Sequence, residues 1–522
     1  MRAEIARPWP RAVDALVAAA AGAAQTLAIA VTSSWPLQLA AVAVLAWRVR
    51  QARPMRAALL GLAFGSAWLG TAVWWLFISM HRYGHLPALM SAAAVALLAL
   101  ALALYLALGL ALAARWRTGR AGLDGAAFVA AWVGAEWART VLFTGFPWAG
   151  AGYAHVDSPL AALAPWVGVL GIGAAAAALG VALSRPRQRP AAALLALGVL
   201  ALLALLPRPD FTAATGTLRV NLVQTNVAQD EKFAAERMPA TLAWLAETLK
   251  ATSGDLVVAP ETAVPLLPQQ LKEFVPDYWP ALQARFDRND QAALLGVPLG
   301  DYERGYTNSV VALTARGTAP YRYDKVHLVP FGEFIPTGFR WFTTLMDIPL
   351  GDFARGPRDA PSFAFRGERI APNICYEDLF GEELALRFAD AARAPTIMAN
   401  VSNIGWFGDT VAVQQHLQIS RLRALEFQRP MLRATNTGAT AIVDHQGRVS
   451  AMLAPFTRGV LDGTVQGRSG LTPYAFWVSR LGLWPWPLAV ALVFGLGAWA
   501  SRRARGAPAA GASAPGGRGH DP

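Results

Sequence analysis

One feature constrains this chain more than any other. Long apolar runs recur along it, and the connections between them alternate between arginine-rich and nearly arginine-free. The runs fall at about 14–31, 35–47, 57–80, 87–114, 125–144, 159–184, 191–206 and 482–500. Most reach the ~20 residues a helix needs to cross a ~30 Å hydrocarbon core, the second and seventh being the short ones. One set of connections carries Arg2, Arg7 and Arg11, then Arg48, Arg50, Arg53 and Arg56. It continues with Arg115, Arg117 and Arg120, Arg185, Arg187 and Arg189, and lastly Arg502, Arg503 and Arg505. The opposite set holds none in 32–34, Arg82 alone in 81–86 and none in 145–158. Cytoplasmic loops collect arginine, so the pattern predicts eight crossings with both termini in the cytoplasm. The first run passes at once into the second without a small-residue cleavage pattern, and so reads as a span rather than a removable signal.

Composition agrees with a membrane protein: 55% of residues are hydrophobic and only 15% charged. A net charge of +12 can signal nucleic-acid binding, but the source of the charge argues otherwise. Of 46 basic residues four are lysines, at 232, 250, 272 and 325, and the remaining 42 are arginines, many in short clusters between apolar runs. Their role there is orientation, so no nucleic-acid partner is expected. No clustered histidine and cysteine spacing suggests a metal, and no cofactor is expected. Cys375 is the single cysteine and cannot form an internal disulfide.

The expected organisation is a seven-helix membrane part over 1–206, an extracytoplasmic domain over 207–481, an eighth span at 482–500 and a disordered cytoplasmic tail at 501–522. The tail is rich in Gly, Ala and Pro. Within the large insert the pattern becomes soluble α/β. Short apolar runs at 218–224, 255–260, 291–299, 369–377 and 395–402 read as buried strands. Helical patterns lie at 232–251, 379–393 and 413–428, and 438–453 reads as a hairpin with turn chemistry at Asp444 and Gly447. Alternating strands and helices imply a sheet covered by helices.

Three stretches place reactive side chains at apparent strand ends, where α/β folds gather their sites. They are "VVAPETAVP" with Glu261, "YRYDKVHLVPFGEFIP" with Lys325, His327 and Glu333, and "NICYED" with Cys375, Tyr376 and Glu377. A thiol with an ordinary pKa of ~8.5 needs a base or a positive field to attack a carbonyl. Glu261 can take its proton. Lys325 can stabilise an oxyanion, together with the N–H that follows Cys375. Glu333 can hold the lysine charged and in place. Taken singly, each has a plainer reading: a buried inert cysteine, a helix cap, a surface lysine, a packed histidine, and for Glu382 and Glu383 a solvated helix face.

In this order, "PETAVP", "YDKVHLVPFGEFIP" and "NICYED" resemble the Glu-Lys-Cys machinery of the nitrilase, or carbon–nitrogen hydrolase, superfamily. "NVSNIGWFGDT" (400–410) is similar to the strand and loop that follow it. This resemblance covers about 218–463 and implies an αββα sandwich. With "WWLFISMHRYGHLP" (74–87) and "LFTGFPWAGAGYAHVDSPLAALAPWVGVLG" (142–171), everything but the tail resembles the bacterial apolipoprotein N-acyltransferases. The resemblance implies Glu261 as general base, Lys325 as oxyanion stabiliser and Cys375 as acyl-accepting nucleophile, supported by Glu333, Tyr376 and Glu377. Phe233 stands where the family often has Trp, and with Trp406, Phe146 and Trp148 it is expected in a lid or lipid-contacting role. The implied reaction takes an acyl chain from the sn-1 position of a phospholipid to Cys375. The thioester then passes it to the α-amino group of a diacylglyceryl-cysteine on an apolipoprotein.

The aromatic residues of 74–83 and 142–148 fall at outer span ends, where anchoring competes with substrate contact as their role. Glu136 and Arg139, spaced i,i+3 within a span, are expected to pair on one helix face, with Arg139 also placed to meet lipid phosphate. The rival readings are an outward-facing amidase anchored by its helices and a transporter or receptor with a ligand-binding external domain. Eight spans exceed what anchoring needs, and few unpaired ionisable residues line the spans.

Overall fold

A computed structural model describes residues 11–506 apart from 32, 289, 302, 304, 316–319, 337 and 339–352. Every apolar run of the sequence is helical. The first seven give α1 (Arg11–Ala30), α2 (Trp35–Val49), α3 (Pro54–Ala72), α4 (Ala88–Arg115), α5 (Ala121–Val141), α6 (Ala164–Leu183) and α7 (Pro190–Leu205). Glycine and alanine set the close approach of α3 and α4: a Cβ on Gly65 would stand 2.8 Å from that of Ala103.

The insert opens with β1 (Ala213–Gln224), α8 (Met238–Ala251), β2 (Leu256–Val258), α9 (Tyr278–Arg288), β3 (Ala292–Asp301), β4 (Gly305–Leu313) and β5 (Arg322–Asp324). It continues with β6 (Phe363–Phe365), β7 (Glu368–Ile374), β8 (Ile397–Ser402), α10 (Ala412–Phe427), β9 (Met431–Thr435), β10 (Ala441–Val443), β11 (Val449–Met452) and β12 (Gly459–Ser469). Two helices end the described chain, α11 (Pro473–Leu481) and α12 (Pro485–Gly506).

The strands form two six-stranded sheets, ordered β12-β1-β2-β3-β4-β5 and β11-β10-β9-β8-β7-β6. Each has a parallel centre, β1-β2-β3 and β7-β8-β9, flanked by antiparallel strands. Strand alternation sorts the layers. Leu256 and Val258 pack against Ile370, Ile374, Ile397 and Val401 of the second sheet. Val257, between them, packs outward with Leu242, Leu245 and Leu249 of α8 and Phe286 of α9. On the far side Met398 and Met431 pack with Val413, Leu417 and Phe427 of α10. The result is the helix–sheet–sheet–helix sandwich.

α10 is buried on both sides. Its Ile419, Leu422 and Leu425 belong to the same apolar cluster as Ile172, Ala176 and Trp148 of the membrane part. One helix thus serves as outer layer of the sandwich and as neighbour of the bundle.

The structure revises several expectations. Among the described residues, four helices are long and apolar enough to cross a membrane, and six if each bent pair counts as one span. α3 continues into Leu76–Tyr83 across a 61° bend, and α11 meets α12 across 84°. α2 and α7, with 15 and 16 residues, span only about 22–24 Å at 1.5 Å per residue. By length and composition alone, four to six of the eight expected crossings are supported among the described residues. The α3 bend has a visible cause, because the Trp75 indole N–H turns back onto the Ala72 carbonyl at 2.9 Å in place of another helical turn. The 379–393 helix shrinks to Gly381–Ala385 and a 3-10 turn at Leu386–Phe388. α12 runs through 501–506, where the sequence suggested a disordered tail. Residues 507–522, Arg2 and Arg7 lie outside the described residues.

Candidate active site

The reactive side chains meet where strand ends of the two sheets come together. Glu261 follows β2, Asn308 stands on β4, and Lys325 follows β5, all from the first sheet. Cys375 follows β7, and Ser402 and Asn403 end β8, from the second. Gly296 on β3 makes room for the carboxylate residue: a Cβ there would stand 2.7 Å from the Glu261 Cα.

Lys325 Nζ lies 3.2 Å from Glu261 Oε1 and 2.9 Å from Glu333 Oε2. Asn308 Nδ2 donates to the same two carboxylates, at 2.7 Å to Glu261 and 2.8 Å to Glu333. The other Glu261 oxygen accepts the Asn403 main-chain N–H at 2.8 Å. Burial alone would raise the Glu261 carboxyl, but the Lys325 charge and the Asn308 donor outweigh it and hold it below its ordinary value. Burial likewise works against the Lys325 ammonium, and the charges of Glu261 and Glu333 more than offset it, so this lysine stays charged. At Cys375, burial and the Glu261 charge push the thiol up to about 12, against Lys325 and donors from Ser402 and Asn403. The resting site thus pairs a protonated thiol with an ionised carboxylate.

The Cys375 backbone is left-handed, φ 52°, as is Thr262 beside Glu261, φ 51°. Such a conformation costs a non-glycine residue about 1–3 kcal/mol and persists only when its surroundings enforce it. Asn400 Nδ2 and His416 Nε2 hold the Cys375 carbonyl, at 3.1 and 3.3 Å. Glu377 fastens the turn to the lysine loop. Its Oε1 accepts the N–H groups of Val326 (2.6 Å) and His327 (3.2 Å). Its Oε2 accepts the Ile374 N–H (2.6 Å) and the Tyr323 hydroxyl (2.7 Å). Behind the turn lies a second buried ionic group. Asp378 meets His416 Nε2 at 3.0 Å and Arg433 at 3.5 Å and also bonds Ser420, while Arg433 donates to His416 Nδ1 at 3.2 Å.

The membrane part reaches this site directly. Tyr376 donates its hydroxyl to the Gly145 carbonyl at 3.1 Å, and its ring lies 6.5 Å from that of Phe146. Gln415, next to His416, accepts the indole N–H groups of Trp75 (3.1 Å) and Trp148 (2.8 Å) and donates to the Ala72 carbonyl (3.0 Å). Trp148 is therefore a buried seam residue, 3% exposed, and not on an exposed rim. Phe233 is 57% exposed and Trp406 38%, the latter edge-on to Tyr83. Glu136 and Arg139 pair at 3.6 Å, and Arg139 also donates to the Trp148 carbonyl at 2.7 Å. His327 stacks on Phe380 with ring centroids 3.5 Å apart and bonds Glu383 at 3.1 Å. Glu383 is thus half-buried and paired rather than on a solvated helix face.

Sequence reasoning missed Asn308, Ser402, Asn403, Lys232 and the Asp378–His416–Arg433 group. Asn308 carries the one usable signal, a carboxamide inside the otherwise strand-forming "YTNSVVAL".

A family model for the Apolipoprotein N-acyltransferase N-terminal domain matches residues 21–182, and one for Carbon-nitrogen hydrolase matches 219–474. The chain is 52% identical over 482 residues to the apolipoprotein N-acyltransferase of Verminephrobacter eiseniae, covering 86% of this chain and 89% of the relative. It is 46% identical over 500 residues to that of Ralstonia nicotianae, covering 94% of each. A solved carbon-nitrogen hydrolase from Helicobacter pylori G27 aligns at 17% identity with a TM-score of 0.36, over 52% of this chain and 94% of that one.

Proposed function

The chain belongs to the apolipoprotein N-acyltransferase family, and from that premise we propose that it moves an acyl chain from a phospholipid, through a thioester on Cys375, to the N-terminal amine of a diacylglyceryl apolipoprotein. The observation that carries this reading is the Lys325 ammonium bridging Glu261 and Glu333, with the Cys375 thiol in the same field.

In the first half-reaction the Cys375 sulfur attacks the ester carbonyl while Glu261 takes the thiol proton. Lys325 stabilises the oxyanion. Collapse breaks the ester C–O bond, and Glu261 returns the proton to the departing lysophospholipid oxygen. In the second, the lipoprotein amine attacks the thioester carbonyl, Glu261 accepts its proton, and the C–S bond breaks to restore the thiol. Glu333 and Asn308 keep Lys325 and Glu261 at fixed separation through both halves. Glu377 and Tyr376 tie the nucleophile turn to the lysine loop and to the membrane part. Phe233, Trp406 and Phe146 contact lipid or acyl chain at the mouth.

The arginine alternation supports eight crossings in the bacterial inner membrane, both termini cytoplasmic and residues 207–481 outside. The seam through Gln415 supports a site held against the bilayer, where ester carbonyls lie and water is excluded from the thioester.

The decisive measurement is intact mass after incubation with phospholipid. A fatty-acyl adduct is expected on the wild type and none on Cys375→Ser, and adding a diacylglyceryl lipopeptide should discharge it into an N-acylated product. Transfer by Cys375→Ser at the wild-type rate would overturn the reading, and rapid hydrolysis of the thioester without transfer to the amine would make the protein a hydrolase rather than a transferase.

A further inference from the structure

Lys232 carries an ammonium at the site that the reaction above does not use. It lies between β1 and α8, is 6% exposed, and donates from Nζ to the main-chain oxygen of Glu261 at 3.1 Å. Lys325 is held by two carboxylates, whereas the atom bonded to Lys232 is a neutral carbonyl. An ammonium buried this way is costly unless nearby negative charge compensates it. The titratable groups that face it are Glu261 at the end of β2 and Cys375 at the end of β7. Its chain neighbours Asp230 and Glu231 are exposed. Burial, opposed by those two groups, pulls the lysine down to about 8.

The segment around it, 225–237, is a strap fixed at successive points. Val227 exchanges hydrogen bonds with the Asn436 side chain, at 2.9 and 2.8 Å. Gln229 accepts from Asn403 Nδ2 at 2.9 Å, and Asn403 is the residue whose main-chain N–H holds Glu261. Asp230 pairs at 2.8 Å with Arg82, in the Ser79–Tyr83 turn that closes the third apolar run. Two residues beyond that ion pair, Lys232 reaches Glu261. The strap therefore runs from the membrane-side turn to the base.

Building on the acyl-transfer reading, we propose that Lys232 is a positioning residue for Glu261: it anchors the Glu261 backbone and places a positive charge beside Glu261 and Cys375 while the 225–237 strap is seated on the Ser79–Tyr83 turn. Closing the strap then completes the charge of the site, and lifting it removes that charge.

The test follows formation of the Cys375 acyl-thioester by rapid-mix intact mass on the full chain, in vesicles of phosphatidylethanolamine and phosphatidylglycerol, between pH 6 and 10. The wild-type rate should fall on the alkaline side with a midpoint near 8, as the Lys232 ammonium loses its proton. Lys232→Met should be about 10²-fold slower at neutral pH, with KM for phospholipid within about threefold and the alkaline limb gone. Lys232→Arg should recover at least about a tenth of the wild-type rate and displace the limb upward, since a guanidinium keeps its charge. Arg82→Gln, which loosens the strap without touching the site, should cost about tenfold. Should Lys232→Met fail to fold, the limb in Lys232→Arg and the rate of Arg82→Gln decide the matter. A Lys232→Met rate within about threefold of wild type with its limb intact would overturn the inference alone, as would an unmoved limb in Lys232→Arg. Absence of thioester on the wild type would overturn the acyl-transfer reading and this inference with it.

Discussion

Two buried ionic groups flank the Cys375 turn, and they are built to opposite purposes. In front, Glu261, Lys325, Glu333 and Asn308 form one bonded group of carboxylates and an ammonium, and the charges of Glu261 and Lys325 act on the Cys375 thiol. Behind, Asp378, His416, Arg433 and Ser420 are 0% exposed and bond one another. Both contain a carboxylate and a cation. The first acts on the thiol through the charges of Glu261 and Lys325; the second holds the carbonyl oxygen of the same residue through His416. Both groups are sealed from solvent, so what separates them is which end of Cys375 each one addresses.

The sharpest way to break this contrast is Glu261→Gln, which keeps shape and removes the carboxylate proposed as base. Thioester formation should fall by about 10⁴-fold, a barrier increase of ~5.5 kcal/mol. The pH profile checks the sign. Because the folded-state pKa of Glu261 lies below its ordinary value, the ionised carboxylate and its share of stability persist above the ordinary carboxylate pKa of ~4.3 and are lost as pH falls through the lower value. Glu261→Gln should abolish that acid limb. Arg433→Met, in the rear group, should do the reverse: it strands Asp378 and destabilises the fold by about 4 kcal/mol, read by thermal unfolding, while molecules that remain folded still acylate. If instead acylation collapsed with stability intact, the two groups would share one role. Gln415→Leu leaves the Trp148 indole N–H unpaired in the seam, while Trp75 keeps its bond to the Ala72 carbonyl, and should cost about 2 kcal/mol, seen as faster hydrogen exchange in α10. The smallest effect belongs to Phe233→Ala: less than ~0.5 kcal/mol of stability, and a change in KM for phospholipid rather than in kcat.

Much of this was legible beforehand, for physical reasons. The buried central strands β2, β3, β7 and β8 announce themselves as short apolar runs because both faces are covered. β12 escaped notice: as an edge strand its residues vary irregularly among exposed, half-buried and buried, so "GVLDGTVQGRS" has no period to read. The front group was found through local motifs, since Glu261, Lys325 and Cys375 each stand beside a strand end. Asn308 sits mid-strand, marked only as a carboxamide among strand formers, and His416 mid-helix, where nothing nearby records that a distant carboxylate and carbonyl await it. Lys232 was hidden by the charged stretch "QDEKF", which reads as solvated. Glu383 was misplaced because a long amphipathic helix was assumed where only Gly381–Ala385 is α-helical.

The double burial of α10 has a consequence for anyone wishing to handle this chemistry in water. Cutting the chain to residues 207–481 would strip the cover from Ile419, Leu422 and Leu425, and from Leu379 and Phe380 beside the nucleophile turn. Such a fragment would present an oily face next to its own reactive centre and would self-associate there. A soluble version calls for a rewritten outer surface of α10, with polar residues at those positions, before any attention to loops or termini.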